Sequence, residues 1–453
     1  MVNKLHAGLS ANLDEMLPDG TLETGIRELF SGKHKLGTIF GQLGYKQKRA
    51  RLKRMSDEKR WSLPDKESGQ LLETLLGMIR TRKETGTVAA VMAPWYEDST
   101  LAKGEGYIRR IKEIDNRVLG DIFSIYFYEC PYYRVDRIFA DQISKKRIYI
   151  RYNANYSAQR TFVDTLIAAC DICYSHSVLR LIPCEQPQRK ERWLNIFGGQ
   201  VRHILDAHGA VVEEAMLNKN DDEAVWAARA EQLYFENIDG AVVLTDAMRR
   251  YFTERYGCEN ITFFATPVLS EDIVCNDDSI TQKQHKQLLV VYAGGCQVWQ
   301  NITLMQQAIK SRIDAAEYTI FVSSPEVFTE SWGDEPIPAN VTVQTGTPQQ
   351  ISAEYQEAHY GFILRDDSAV NRVAYPTKIM EYIQFGIVPI MKFAGIGDFE
   401  ELGLRFWPVE RFMNGELPSG QERKKMAQAN LKIAREQKHR YLSVINAIKV
   451  FIQ

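Results

Sequence analysis

Between Leu364 and Ile390 the chain carries Arg365, Asp366, Asp367, Asn371, Arg372, Thr377, Lys378 and Glu381, with apolar runs on either side. The pattern predicts a strand end, a polar loop, a helix and a following strand. Pro376 suits the first helical position, where its missing N–H costs nothing, and it keeps Tyr375 extended. The amides of Thr377 and Lys378 then open a positive helix end, a natural seat for a diphosphate. Lys378 adds a full charge. Glu381 lies one turn on and leans back toward the helix start, where its carboxylate can accept hydrogen bonds from a ribose diol. Gly386 closes the helix. An ordinary helix with a surface Lys–Glu pair three residues apart explains the same residues.

Two further stretches bear chemistry. Tyr292-Ala-Gly-Gly-Cys-Gln-Val-Trp-Gln-Asn301 reads as a strand, a glycine turn and a helix. Gly294 and Gly295 let the backbone approach a bulky ligand at the carboxyl end of a strand, where open α/β sheets bind ligands. A plain tight turn is the other reading. It is not a phosphate-binding P-loop, since no Gly-Lys-Ser/Thr follows. Trp299 is placed to stack on a base or to pack. In Ile204-Leu-Asp-Ala-His-Gly-Ala-Val-Val-Glu-Glu214, strand alternation puts Asp206 and His208 on one side, and Gly209 permits a sharp turn. His208 can then hydrogen-bond a sugar hydroxyl or a developing charge, or serve the core alone. With no serine elbow beside it, a hydrolase triad is not supported. Cys170-x2-Cys173 with His176 and Cys184 resembles a zinc set superficially, but sits where small cysteines pack, so no metal site is expected.

Positioning these groups requires a particular set of elements. Val88–Ala93, Asp121–Tyr128, Arg147–Tyr152, Asp171–Ser175, His203–Ala207 and Gly240–Thr245 read as strands, separated by helical segments at Glu105–Val118, Phe162–Ala169 and Asp222–Asn237. The alternation resumes with strands at Leu288–Ala293, Tyr318–Ser323, Val341–Gln344, Tyr360–Leu364 and Val388–Met391. Strands joined by crossover helices imply parallel sheets. The expected organisation is α/β: a helical, partly basic extension over residues 1–85, one Rossmann-like domain over 86–270, a second over 271–420, and a closing helix over 421–453 that packs back across both.

With 453 residues, two domains plus extensions are affordable. Fifty-six basic against 58 acidic residues leave a net charge of −2, which offers no polycation for a nucleic-acid backbone, so no nucleic-acid partner is expected. No apolar run spans a bilayer, no secretory leader is evident, and seven scattered cysteines suit a reducing compartment. A cytoplasmic protein is therefore expected. Residues 45–61 concentrate Lys46, Lys48, Arg49, Arg51, Lys53, Arg54, Lys59 and Arg60, either a solvated face or a peripheral contact with anionic lipid at the inner face of the membrane.

The three motifs, in this order, resemble the family 4-like glycosyltransferases with the GT-B fold, particularly those of bacterial surface-polysaccharide clusters. The resemblance covers roughly residues 87–453. It implies two Rossmann-like domains facing across a cleft, a nucleotide-diphosphate sugar held mainly by the second, and a glycan or lipid-linked acceptor held mainly by the first. It further implies transfer with retention of configuration and without an obligatory metal or other cofactor. Carried over, His208 matches the cleft histidine at the reaction centre. Glu381 matches the ribose-binding glutamate, Thr377 and Lys378 the diphosphate-binding helix start, and Gly294 and Gly295 the glycine loop. Gly104 and Gly106 match the acceptor-side glycines. The sequence departs from that pattern at Val373, where the family often has a sugar-binding glutamate eight positions before Glu381. Asp366, Asp367 or Asn371 are the candidates to replace it. Gln297 and Gln300 stand where basic residues face the diphosphate, leaving Arg365, Arg372 and Lys378 as cations. These losses keep a second reading open, a catalytically silent nucleotide-sugar-binding or assembly protein. A nicotinamide oxidoreductase is disfavoured by the missing Gly-x-Gly-x-x-Gly.

Overall fold

The structure is a computed structural model that describes residues 60–64, 68–93, 106–129, 137–153, 157–178, 199–267, 283, 287–333 and 335–453. The strands, in chain order, are β1 (Arg60–Pro64), β2 (Val88–Met92), β3 (Phe123–Glu129), β4 (Arg137–Ser144), β5 (Arg147–Tyr152), β6 (Ile172–His176), β7 (Arg202–Asp206), β8 (Gly240–Val243) and β9 (Thr262–Ala265) in the first half. The second half contributes β10 (Leu289–Gly294), β11 (Glu317–Val322), β12 (Val341–Gln344), β13 (Tyr360–Ile363), β14 (Val388–Met391) and β15 (Trp407–Pro408). The first sheet runs β1-β4-β5-β3-β2-β6-β7-β8-β9 and the second β12-β11-β10-β13-β14-β15.

Every pairing in the second sheet is parallel. In the first, β5-β3-β2-β6-β7-β8-β9 is parallel. Helices cover both faces of such sheets, so central strands are apolar without alternation. β2 is buried at all five of its positions, and Leu289–Ala293 of β10 is buried throughout.

Three expectations need correction. The first sheet is mixed, because β4 folds back antiparallel on β5 and β1 pairs antiparallel with β4. The helical reading of residues 1–85 fails at 60–64, which form β1. The helix Ser68–Lys83 then buries Leu71, Leu75 and Ile79 in the first sheet's core, so these residues belong to that lobe and not to an extension before it. Charge density hid the strand, and a five-residue edge strand has too few positions to show a period. Most of the basic stretch 45–61, and Gly104, lie outside the described residues; Gly106 is the first residue of the helix Gly106–Arg117.

The helix Gly420–Ile452 carries a capping box at Ser419 and Glu422 and reaches both lobes. Asn430 exchanges two hydrogen bonds with the Arg405 backbone in the second lobe, at 2.8 and 2.7 Å. Further along, Arg440 pairs with Asp246 (2.5 Å), Tyr441 donates to Glu113, and Arg202 donates to the carbonyls of Phe451 and Ile452, all joining the first lobe. An apolar cluster continues through this helix, from Val91 and Ile114 to Tyr441 and Ile445 and on to Ile379 and Met391. A second junction is polar. Both carboxylate oxygens of Asp398, from the second lobe, accept the first amides of the first-lobe helix Asp246–Tyr256, at 2.7 and 2.8 Å. Thr245 caps the same helix and donates to the carbonyl of Val373 across the junction (2.8 Å).

Candidate functional site

The carboxyl ends of β6 and β7 bring together a buried polar cluster. Asp206, fully buried, accepts from Arg110 Nε at 3.2 Å to each oxygen and from the Tyr174 hydroxyl at 2.8 Å. His176 Nδ1 lies 3.5 Å from Asp206 Oδ2, His208 Nε2 lies 3.7 Å from Asp206 Oδ1, and the two imidazoles approach to 3.4 Å. Burial alone would raise the Asp206 carboxyl, but the Arg110 guanidinium and both histidines overcome it and hold Asp206 far below the usual carboxylate range. The aspartate is thus a fixed anion that orients one arginine and two histidines. Behind it, burial pushes Asp115 up to about 6 although His176 and the Tyr126 hydroxyl, which donates at 2.7 Å, both pull it down.

Strand alternation correctly placed Asp206 and His208 together. It did not reveal Arg110, which reaches Asp206 from the helix Gly106–Arg117, 96 residues earlier in the chain, nor His176, which sits on the neighbouring strand and was read only within a cysteine motif. His176, Asp206 and His208 have the spacing of a metal-ligand set. Arg110 and Tyr174 already occupy the carboxylate, so the cluster fits a metal ion poorly. Cys170 and Cys173 are buried free thiols, and burial pushes Cys173 up to about 12 and Cys170 higher still, the state of packed cysteines.

His208 opens onto a cavity of about 270 Å³ between the two sheets. Arg110, Gly209, Glu214 and Leu244 line it from the first lobe, and Trp299, Arg365, Val370, Ala374, Tyr375, Pro376 and Thr377 from the second. Clefts at strand carboxyl ends between two α/β sheets are where such folds bind ligands. Arg365 follows β13 and is buried; Asn371 accepts from its Nη1 at 3.1 Å and in turn donates to the Asp366 carbonyl at 2.9 Å. Asn371 therefore holds Arg365 in place. Arg365 Nε has no hydrogen-bond partner among the described residues. Burial lowers this guanidinium to about 10, against the pull of Tyr292 and Glu214.

The helix Thr377–Gln384 starts after Pro376 with no side-chain cap, leaving its first amides at the cavity wall. Thr377 reaches the cavity itself. Lys378 turns toward the glycine loop, where its ammonium lies 5.1 Å from the Tyr292 ring centroid and its stem covers Gly294 so closely that a Cβ there would collide with it. Burial and the Arg365 charge push Lys378 down to about 7, opposed by Glu381. Gly295 is crowded in the same way by Gln297. Glu381 is half-buried one turn on, and Tyr355 donates to it at 3.3 Å. Arg372 is committed to exposed Asp367 at 2.5 Å, and Asp366 to Asn301 and Lys392. Glu381, Arg372, Asp366 and Asp367 do not line the cavity, and neither do Lys378, Gly294 and Gly295. Val373 is 4% exposed and packs in the core.

One carboxyl in the cavity was not singled out from sequence. Glu214 lies in the first turn of the helix Val211–Leu217, and a Cβ on Gly209 would strike its Oε1. Burial raises Glu214 to about 7, with Arg365 pulling the other way and Glu223 and Glu213 adding to the rise.

Two helix-covered, largely parallel sheets facing across a cleft constitute the GT-B glycosyltransferase fold, and this chain has it. Among solved structures, Anabaena HepE in complex with UDP and glucose is similar to it, with a TM-score of 0.55 and 10% identity over 81% of this chain and 100% of that one. HepE in complex with UDP-glucose gives a TM-score of 0.54 at 10% identity, covering 81% and 100%. No family model matches the chain, and no curated protein matches it in sequence. Among the described residues, no helix is long and apolar enough to cross a membrane.

Proposed function

We propose that the protein is a glycosyltransferase that moves a sugar from a nucleotide-diphosphate donor to a glycan or lipid-linked glycan acceptor, with retention of configuration and without a required metal. The observation that carries this reading is the convergence of His208, Arg365 and the uncapped start of the helix at Thr377 on one interlobe cavity. HepE, of like fold, is solved with UDP and glucose and with UDP-glucose.

In this reading the diphosphate sits against the amides of Thr377 and Lys378, with Arg365 and the Lys378 ammonium as counter-charges above Gly294 and Gly295. Glu381 grips the ribose. When the bond from the anomeric carbon to oxygen breaks, its electron pair leaves with the nucleoside diphosphate, and these preorganised positive groups stabilise it without reorganising. The sugar becomes oxocarbenium-like. His208, oriented by Asp206, stabilises it through a sugar hydroxyl. The acceptor hydroxyl attacks from the face the diphosphate leaves, and its proton passes to the departing phosphate oxygen. Asn371 acts by positioning Arg365 and does not meet the donor. Acceptor binding belongs to the first lobe, on the side of Gly104 and Gly106, with residues 45–61 as a peripheral membrane contact.

The test is a thermal-shift screen of nucleoside diphosphates and nucleotide sugars. A ligand at about 100 times its dissociation constant adds roughly 2.7 kcal/mol to stability, which is readily measured. A donor that stabilises the protein and is consumed with an acceptor, giving a retained linkage by proton NMR, supports the proposal. Failure of every nucleoside diphosphate to bind would remove it. Binding without turnover would favour the silent nucleotide-sugar binder, for which the buried Val373 in place of a carboxylate speaks.

A further inference from the structure

We infer that Glu214 recognises a hydroxyl of the transferred sugar across the cavity from Arg365, supplying from the first lobe the carboxyl that the second lobe lacks there. The inference rests on the proposed donor site and adds a residue that decides which sugar it accepts.

Several independent features converge on this side chain. Its carboxyl lines the cavity beside His208 and forms no hydrogen bond with any described side chain or backbone group, whereas its own backbone is anchored in the helix, with its N–H donating to the Ala210 carbonyl (2.9 Å) and its carbonyl accepting from Asn218 (3.0 Å). The side chain is half-buried at the cavity wall, so its carboxyl keeps some contact with solvent and is within reach of a ligand hydroxyl that enters the cavity. Gly209 makes the placement feasible, since any side chain there would occupy the position of Glu214 Oε1. Among the described residues that line the cavity the second lobe contributes no acid: Asp366 and Asp367 are tied up in exposed ion pairs, Glu381 lies one turn into its helix and position 373 is an apolar core residue. Arg110 and Arg365 flank the cavity, so a cation is repelled and a neutral hydroxyl is the fitting partner. Near neutrality Glu214 exists in both protonation states and can donate to or accept from that hydroxyl.

The experiment measures binding of UDP, GDP, UDP-glucose, UDP-N-acetylglucosamine and GDP-mannose by calorimetry to wild type, Glu214→Ala and Glu214→Gln, with thermal unfolding as a check on folding. For the nucleotide sugar that wild type prefers, Glu214→Ala should lose about tenfold or more in affinity, as expected for a lost hydrogen bond to a charged group. Its parent diphosphate should stay within about twofold. Glu214→Gln, which keeps the shape and hydrogen-bonding capacity, should recover most of the loss. If Glu214 is only a counter-charge for Arg365, Glu214→Ala binds the bare diphosphate more tightly and the sugar by the same factor, which overturns the inference. Equal sugar affinity in all three proteins overturns it as well. Failure of wild type to bind any of the five compounds strikes at the donor site and takes the inference with it. Should Glu214→Ala unfold, Glu214→Met, of similar length but without hydrogen-bonding capacity, takes its place: a loss of nucleotide-sugar affinity with diphosphate binding retained supports the inference, and unchanged sugar affinity overturns it.

Discussion

At the scale of single residues, the molecule separates groups that hold from groups that act. Asp206 holds: replacing it with Asn leaves Arg110 buried without its counter-charge, a change worth about 3–5 kcal/mol, to be seen as a large fall in unfolding temperature. Because its folded carboxyl is depressed, the stability it contributes is present above about pH 4, the unfolded carboxylate range, and disappears only as pH falls further. In the proposed mechanism His208 acts: His208→Ala should leave the unfolding temperature close to wild type while transfer falls by roughly 10²–10³, the usual loss on removing one preorganised stabilising group. Lys378, with a folded value of about 7, is charged below that pH and neutral above it. Diphosphate affinity should therefore weaken in wild type relative to Lys378→Arg as pH rises through about 7, the ligand's own ionisation being common to both proteins. Calorimetry at several pH values reads the difference directly. His208, Arg365, Thr377 and Lys378 were legible because each sits at a break between an apolar run and a polar loop. Arg110 and His176 were not: their importance comes from tertiary approach to Asp206, and no local spacing encodes it.

Among elements, the parallel strands were the most readable, because burial on both faces writes them as uninterrupted apolar stretches such as Val88–Met92 and Leu289–Ala293. β4 and β9 were missed. Arg137–Ser144 mixes charged and apolar residues on a strand between antiparallel partners, and Thr262–Ala265 is four residues long. The helix Val211–Leu217 was missed for a similar reason: its letters, Val-Val-Glu-Glu-Ala-Met-Leu, continue the apolar character of β7 after a glycine, and so the role of Glu214 went unread. Backbone demands are sharper than these side-chain patterns. Gly397 has φ of +51° and lies against the Ala374 carbonyl, which belongs to the cavity wall. Gly397→Ala should destabilise the protein by about 1–3 kcal/mol and weaken donor binding in parallel, measured by unfolding and calorimetry on one preparation.

For the molecule as a whole, the two lobes are joined by a carboxylate cap and a long helix. Asp398 serves the amides of a helix in the opposite lobe, so Asp398→Ala removes a cap worth about 0.5–2 kcal/mol and a tie between lobes together. A larger radius of gyration in solution scattering, with little change in far-ultraviolet dichroism, is the expected result. Two-domain architecture was plain in the alternating pattern, whereas the site of attachment was not, since Asp398 resembles any loop aspartate. The helix Gly420–Ile452 has a temporal consequence too. Phe451 rests on Gly240, and the Arg202 guanidinium donates to the Phe451 and Ile452 carbonyls of the same helix. During synthesis the half made earlier must therefore wait, with that flank uncovered, until the ribosome has delivered the helix Gly420–Ile452. Its maturation is gated by the arrival of that helix, and a nascent chain stalled before it offers its unclad edge to chaperones.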